Sequence, residues 1–172
     1  MAEGEEKRLA ERRASLLQQA AAAAEAHEAR EEPGIHLLLF TLGGESYAFP
    51  LERVREVVKP GPITPVPSVP EHILGVMNLR GEILPVLDPK RLLSGAGGTP
   101  TPQRRIIVVK APGMSVGLLA DGVEDAIEVK GSMEPPIATL PERQARYLQG
   151  QVNHEGLLVG VLDVDTLLER RN

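Results

Sequence analysis

The sequence contains no cysteine and no tryptophan, and only four aromatic residues occur among its 172 positions. Without cysteine, the chain can form neither a disulfide nor a thiolate nucleophile, and it cannot bind zinc through sulfur. The scarcity of aromatic side chains disfavours the base stacking by which proteins bind single-stranded nucleic acid. A reducing cytoplasm is the compartment that suits such a cysteine-free chain.

Long apolar runs and clusters of positive charge are also missing. No stretch approaches the roughly eighteen consecutive apolar residues of a membrane-spanning helix, and the N-terminus lacks the apolar core of a signal peptide. Nineteen Lys and Arg residues stand against 24 Asp and Glu residues, which gives a net charge of −5 without a basic cluster. We therefore expect a soluble cytoplasmic protein that neither inserts into a membrane nor binds nucleic acid.

Patterns typical of catalysis and of metal binding are absent as well. The four histidines are scattered without the spacing of metal ligands. No serine lies in a nucleophile-elbow pattern, and the glycine-rich residues 95–98 lack the lysine that completes a phosphate-binding loop. These absences predict a protein that is not an enzyme and that uses neither a metal nor a cofactor. A small β-barrel enzyme or ligand-binding protein is the alternative from another class.

What the chain does have is an internal repeat. Residues 75–93 (GVMNLRGEILPVLDPKRLL) recur as residues 150–168 (GQVNHEGLLVGVLDVDTLL), and residues 37–58 resemble residues 106–127. Such self-similarity indicates that one structural unit is used twice. We divide the body into a first half (residues 35–93), a linker (94–104) and a second half (105–168), with about six extra residues in the second half between 131 and 143.

The identical members of the repeat look structural. In order, Gly75, Asn78, Gly81 and Asp88 recur as Gly150, Asn153, Gly156 and Asp163. Glycines suit tight turns, and an aspartate before a proline, as at Asp88, is a strong start for a helix because it accepts from unpaired backbone N–H groups. An acid/base pair of the two aspartates is the alternative, but their equivalent places in the two copies favour capping of two helices.

Short apolar segments separated by glycine and proline predict an all-β body. We expect a hairpin over residues 35–49, a strand ending at residue 58, one helical turn at residues 71–74, and strands at 76–79 and 82–87 around a turn at Arg80-Gly81. The second half repeats this order. With about five strands per half, the economical fold is two small five-stranded β-barrels with short helices, packed as one rigid two-lobed body.

The first 34 residues differ from the rest. Residues 1–32 hold eight acidic and five basic side chains among alanine, glutamine and leucine, most of them strong helix formers. We predict a charged extension that is either a solvated helix or disordered, and that is dispensable for the activity of the body. A helix that docks on a partner is the alternative.

The residues that the two copies do not share are the candidates for function. Arg80 in the first turn corresponds to Glu155 in the second, so the two turns carry opposite charge. Residues 53–58 alternate charged with apolar side chains, and their counterparts at 122–127 are more acidic. If both segments line the seam between the lobes, they form a groove with an apolar floor and charged rims, which suits an amphipathic helix. A solvated turn arginine is the plainer interpretation of Arg80.

These segments resemble the CheW family, the coupling proteins of bacterial chemotaxis. The resemblance is carried by residues 40–58 (FTLGGESYAFPLERVREVV), 75–88 (GVMNLRGEILPVLD), 116–129 (VGLLADGVEDAIEV) and 147–168, and it covers about 35–170. It implies two SH3-like five-stranded barrels and a non-enzymatic adaptor in two-component signal transduction. The implied partners are the cytoplasmic tip of a chemoreceptor and the CheW-like regulatory domain of a CheA-type histidine kinase. The implied location is the cytoplasm, at membrane receptor arrays.

The resemblance also implies site residues. Val54, Glu56, Arg80 and Ala126 match positions associated with receptor binding or signalling, and Gly75 matches a structural position beside them. Ala126 departs from the larger aliphatic residue that is common there. Kinase contacts are expected on the outer strand edges and loops. An adaptor of a related pathway, controlling surface motility, pili or second messengers without a standard receptor, is the alternative function.

Overall fold

The computed structural model describes residues 2–30 and 34–169, and the chain divides into two compact units, residues 1–33 and 34–172. The first unit contains helix α1 (Ala2–Arg30), so the extension is helical. The side chains described in it, residues 2–23, are all exposed. The predicted extension runs to residue 34, and its residues 31–33 lie outside the described residues. No helix in the described part of the chain is long and apolar enough to span a membrane.

The described part of the second unit, residues 34–169, is built from short strands and four short helices. Its strands are β1 (Ile35–Leu42), β2 (Glu45–Pro50), β3 (Val54–Val58), β4 (Ile63–Thr64), β5 (Ile73–Leu79), β6 (Glu82–Leu87), β7 (Arg105–Ala111), β8 (Met114–Ala120), β9 (Gly122–Val129), β10 (Leu148–His154) and β11 (Leu157–Leu162). Its helices are a 3₁₀ helix (Leu51–Arg53), α2 (Pro89–Ser94), α3 (Glu142–Ala145) and α4 (Val164–Leu168). The all-β class with short helices is confirmed.

The strands form two sheets. The first sheet has the order β10-β11-β2-β1-β9, and the second has the order β3-β7-β8-β6-β5-β4. One local prediction was wrong, because residues 71–72 form a turn and residues 73–74 already belong to β5. Ile73 and Leu74 pack into different apolar clusters on opposite sides of the strand, and a helical turn would not separate them in this way.

Each sheet combines strands from both halves of the sequence. The hairpin β1–β2 pairs with β9 and β11, and the hairpin β7–β8 pairs with β3 and β6. The two connections explain this exchange, since only Asp121 separates β8 from β9, and residues 51–53 separate β2 from β3. So few residues cannot carry the chain across its own hairpin to the far edge of the same sheet. The lobes are therefore not the two halves as divided in the sequence.

Three apolar clusters hold this arrangement together. One cluster consists of side chains from the second sheet, around Leu84 and Ile106, and another consists of side chains from the first sheet, around Leu37 and Val161. The largest lies between the sheets and includes Phe40, Phe49, Ile107 and Val109. Strands β1 and β7 contribute alternate side chains to an interior cluster and to the cluster between the sheets. They are buried on both faces, which is why their sequences are continuous apolar runs.

The second half has five extra residues in a connection that overlaps the expected range of 131–143, where about six were predicted. Thr64 pairs with Val76, and the equivalent isolated bridge joins Glu134 to Gln151. From Thr64 to the start of β5 the chain advances nine residues, whereas from Glu134 to the start of β10 it advances fourteen. Helix α3 occupies this longer connection.

Candidate functional site

The repeated Asn and Gly residues build two equivalent hairpin turns. Asn78 Oδ1 accepts a hydrogen bond from the Gly81 amide at 3.0 Å, and Asn153 Oδ1 accepts one from the Gly156 amide at 3.1 Å. Both central residues of each turn have positive φ, as a type I′ turn requires, with Arg80 at 49° in the first. Each turn therefore fixes one charged residue at its tip in a conformation that favours glycine or asparagine.

Arg80 extends from its turn to strand β3. Its Nη2 lies 2.5 Å from Glu56 Oε2, although the two residues are 24 positions apart in the sequence. The hydrogen bond from Arg80 lowers the pKa of Glu56 against the opposing effect of burial, and the same bond raises the pKa of Arg80. Both groups are therefore charged at neutral pH. The Arg80 side chain is 66% exposed and that of Glu56 is 23% exposed, so the pair is open to solvent mainly through the arginine.

Two further charged residues adjoin this pair. Arg55 donates to Glu82 Oε2 at 2.9 Å and to Ser115 Oγ at 3.1 Å, and its Nε lies 3.5 Å from Glu56 Oε2. We name Glu56, Arg80, Arg55 and Glu82 the charged cluster. It joins β3, the β5–β6 turn and β8, which come from both halves of the sequence. Sequence reasoning missed Glu82, although its place beside the turn, paired with Leu79, was a signal that could have located it.

A β-bulge explains why Arg55 and Glu56 both reach this surface. Val54 pairs with Val109 and Glu56 pairs with Val108, so Arg55 is the extra residue in β3. Bulges redirect side chains in this way. Val54 itself is half-buried and packs against the cluster between the sheets. Its packing role means that it contributes to stability as well as to any surface beside it.

Ala126 lies apart from the charged cluster. It sits in β9 of the first sheet, paired with Leu38, and it is exposed. No hydrogen bond or ion pair among residues 34–169 joins it to the cluster. The seam is filled by the packed cluster between the sheets, with Val54 and Val123 at its margin. Strands β3 and β9 flank this packed seam, and an apolar groove between them stays a prediction.

The repeated glycines at 75 and 150 permit close backbone approach. Each follows a bulge in its strand. A Cβ at Gly75 would lie 2.1 Å from the carbonyl oxygen of Thr64, and one at Gly150 would lie 2.9 Å from that of Glu134. Both distances are shorter than van der Waals contact, so these glycines let β4 and its counterpart lie against the following strand.

The two repeated aspartates cap separate helices. Asp88 accepts from the Lys90 amide at the start of α2, and Asp163 accepts from the Asp165 and Thr166 amides at the start of α4. Each carboxylate is used in the same way by its own helix, which accounts for the repetition without acid/base chemistry. Across the described residues, no group of three His, Asp or Glu side chains converges as a metal site.

Comparison with known proteins identifies the family. Residues 36–172 match the model of the CheW-like domain. The chain belongs to this family. It is 30% identical to the chemotaxis protein CheW of Rhizobium meliloti, over 78% of this chain and 87% of that protein. It is 34% identical to Protein FrzA of Myxococcus xanthus, over 74% of this chain and 80% of that protein.

A solved structure agrees with this assignment. The scaffolding protein TtCheW from Thermoanaerobacter tengcongensis superposes with a TM-score of 0.72 at 30% identity, covering 82% of this chain and 92% of that one. The resemblance inferred from the sequence is thereby confirmed, and the chain is an adaptor of the chemotaxis type. The family match begins at residue 36, after helix α1. The site residues Val54, Glu56, Arg80 and Ala126 stay predictions.

Proposed function

We propose that this CheW-like protein couples chemoreceptors, the methyl-accepting chemotaxis proteins, to a CheA-type histidine kinase without catalysing a reaction itself. It binds the helical cytoplasmic tip of the receptor and the CheW-like regulatory domain of the kinase. Its place is the cytoplasmic side of membrane receptor arrays. Membership of the CheW-like family supports this proposal, and the charged cluster supplies the candidate receptor contact.

The pair Glu56–Arg80 is the observation on which the receptor contact rests. The hydrogen bond described for Arg80 uses Nη2, and a guanidinium has five N–H donors in a fixed planar arrangement. The remaining donors point from an exposed turn and can bind a carboxylate or a carbonyl of a partner. Glu56 holds the arginine in place, so less side-chain freedom is lost when a partner binds.

An adaptor transmits a signal only through differential binding. Suppose that the receptor has two states. The change in kinase activity that the receptor can cause is then limited by the difference in free energy with which the two states bind the adaptor and the kinase. A contact fixed by a turn, a bulge and an ion pair responds to a small shift of the receptor helix. Individual contacts can be weak, because many linked copies in an array increase the effective affinity.

Arg80→Ala and Glu155→Ala form a matched test. Both residues occupy the same position of equivalent turns, with φ of 49° and 51°, and both side chains are exposed. With purified receptor and CheA-type kinase, we expect Arg80→Ala to weaken receptor binding about tenfold and to lose most receptor-dependent kinase autophosphorylation. Glu155→Ala should stay within about twofold of the wild type.

Equal kinase activation by Arg80→Ala and the wild type would refute the proposed contact. Equal losses in both variants would assign the effect to turn structure rather than to the arginine. A pulldown with the wild-type protein tests the partners themselves. Recovery of a CheA-type kinase with a protein other than a chemoreceptor would place the adaptor in a related signalling pathway.

A further inference from the structure

The carboxylate of Glu56 is approached by two arginines. Arg80 donates to Glu56 Oε2 from the β5–β6 turn, and the Nε of Arg55 lies 3.5 Å from the same oxygen. Arg55 is the neighbour of Glu56 in β3, and the bulge brings both side chains to one surface. The position of the carboxylate that holds Arg80 therefore depends on Arg55 as well.

Arg55 is itself fixed at its other end. Its Nη1 donates to Glu82 Oε2 at 2.9 Å and to Ser115 Oγ at 3.1 Å, so one side chain connects β3 to β6 and β8. A guanidinium is rigid and planar, and two bonds at Nη1 therefore also restrict the direction of Nε. The Arg55 side chain is 35% exposed, compared with 66% for Arg80. Arg55 is thus the inner arginine of the charged cluster, and Arg80 is the outer one.

The first sheet contains the same bulge with different side chains. Strand β9 is bulged at the position equivalent to the bulge of β3. In the repeat, Glu124 takes the place of Arg55, and Leu157 takes the place of Glu82. The bulge therefore forms without an arginine and without its carboxylate partner. Since the fold does not require these contacts, their presence beside Arg80 indicates a role at the site.

We infer that Arg55 is a positioning residue for the proposed receptor contact. Glu82 and Ser115 anchor Arg55, and Arg55 holds the carboxylate of Glu56, which orients Arg80. The inference rests on the proposed contact of Arg80 with the receptor, and it adds that Arg55 acts through Arg80 without touching the receptor itself. An ordered side chain loses less freedom on binding than a mobile one, so loss of the anchor should weaken binding although the binding arginine is unchanged.

A double-mutant cycle separates positioning from direct contact. Affinity for a purified chemoreceptor fragment that contains the helical tip is measured for the wild type, Arg55→Gln, Arg80→Ala and the variant with both substitutions. Arg55→Gln alone should weaken binding about three- to tenfold. In the Arg80→Ala background it should change the affinity by less than about twofold, because no arginine remains to be positioned. The control Lys59→Gln removes the same charge from an exposed residue directly after β3, and it should stay within about twofold of the wild type.

The outcomes distinguish the inference from the proposed function. Wild-type affinity in Arg80→Ala would refute the receptor contact and, with it, the inference. If Arg80→Ala weakens binding but Arg55→Gln does not, the receptor contact stands and the positioning role is overturned. Equal losses from Arg55→Gln in both backgrounds would also overturn it, because Arg55 would then act independently of Arg80.

A second measurement uses the protein without a receptor. The side-chain carboxyl of Glu56 is titrated by NMR in the wild type and in Arg55→Gln. The pKa of Glu56 is lowered chiefly by the hydrogen bond from Arg80, and the charge of Arg55 adds to this effect. Arg55→Gln should therefore raise the pKa of Glu56, and an unchanged pKa would overturn the inference.

Glu82→Gln tests the anchor and serves if Arg55→Gln does not fold. Glu82 is 44% exposed, and its replacement leaves both arginines in place. We expect Glu82→Gln to weaken receptor binding about threefold and to add no further loss to Arg55→Gln. Wild-type affinity in Glu82→Gln, measured beside a weakened Arg80→Ala, would overturn the inference.

Discussion

Gly75→Ala should be the most damaging small substitution in the body. Gly75 has a φ of 143°, and a Cβ there would lie 2.1 Å from the carbonyl oxygen and 2.7 Å from the carbonyl carbon of Thr64. Both atoms are backbone, so no side-chain rotation relieves the clash. The two-residue strand β4 has to move away from β5, and its register with Val76 and Met77 is then lost.

The expected cost has two parts. A non-glycine residue in a disfavoured backbone region costs about 1–3 kcal/mol. Forcing extra atoms into a packed site typically costs about 1–3 kcal/mol more. The sum, about 2–6 kcal/mol, is a large part of the roughly 5–15 kcal/mol by which a domain is stable. Gly81→Ala is the control, because Gly81 has a φ of 87° but no atom within 4 Å of its Cβ position. Strain alone predicts a loss of about 1–3 kcal/mol there, without the packing cost.

Urea unfolding followed by tyrosine fluorescence measures this difference without interference from α1. The chain has no tryptophan, and its two tyrosines, Tyr47 and Tyr147, are both buried in the cluster between the sheets. The signal therefore reports the body, whereas circular dichroism would include the 29-residue helix. Gly150→Ala, with a 2.9 Å contact but no positive φ, should fall between the other two variants. Equal losses for Gly75→Ala and Gly81→Ala would refute the reasoning.

Two further predictions use the same measurement. Val54→Asp should lower the unfolding free energy by about 2 kcal/mol or more, because Val54 packs against the core. The control Val57→Asp, on the exposed side of β3, should lower it by less than about 1 kcal/mol. A larger loss for Val57→Asp than for Val54→Asp would contradict the packing of Val54. Asp121→Asn should cost about 2 kcal/mol at pH 7. Burial raises the pKa of Asp121, but the hydrogen bonds from Lys90 and the Gly43 amide outweigh it and leave that pKa lowered. Because the pKa of Asp121 is lowered in the folded protein, its carboxylate stabilises the fold at pH values above the ordinary pKa of 3.8, and this stabilisation is lost as the pH falls through the folded pKa. The unfolding free energy of Asp121→Asn should therefore fall less between pH 4 and 2 than that of the wild type. Parallel plots of unfolding free energy against pH for the two proteins would contradict this.

The sequence predicted local features of the fold well because short-range chemistry determines them. Asn78 and Gly81 define a turn by themselves, and Asp88 before Pro89 defines a helix start. The exchange of hairpins depends instead on which strands meet over long distances. A signal for it was present, since the continuous apolar runs at 37–40 and 106–109 are typical of strands buried on both faces. The single residue between β8 and β9 becomes informative only when both strand ends are known.

The candidate site was predictable only in part. Nothing in the local sequence places Glu56 beside Arg80, because their proximity requires β3 and the β5–β6 turn to meet at one end of the second sheet. Family resemblance named both residues without showing that they form a pair. It did not name Arg55 or Glu82, whose place in the charged cluster depends on a bulge and on a hairpin register.

Hairpin exchange also changes what can be called the signalling half of the chain. The charged cluster draws Glu56, Arg80, Arg55 and Glu82 from the first half of the sequence. Yet Arg55 donates to Ser115 in β8, and among the described residues β3 pairs only with β7, so the cluster rests on a hairpin from the second half. Residues 35–93 alone would lack this support. A symmetric fold can therefore carry an asymmetric site. Each sheet needs strands from both halves of the sequence, whereas the charged residues at the β5–β6 turn of the second sheet come from the first half alone.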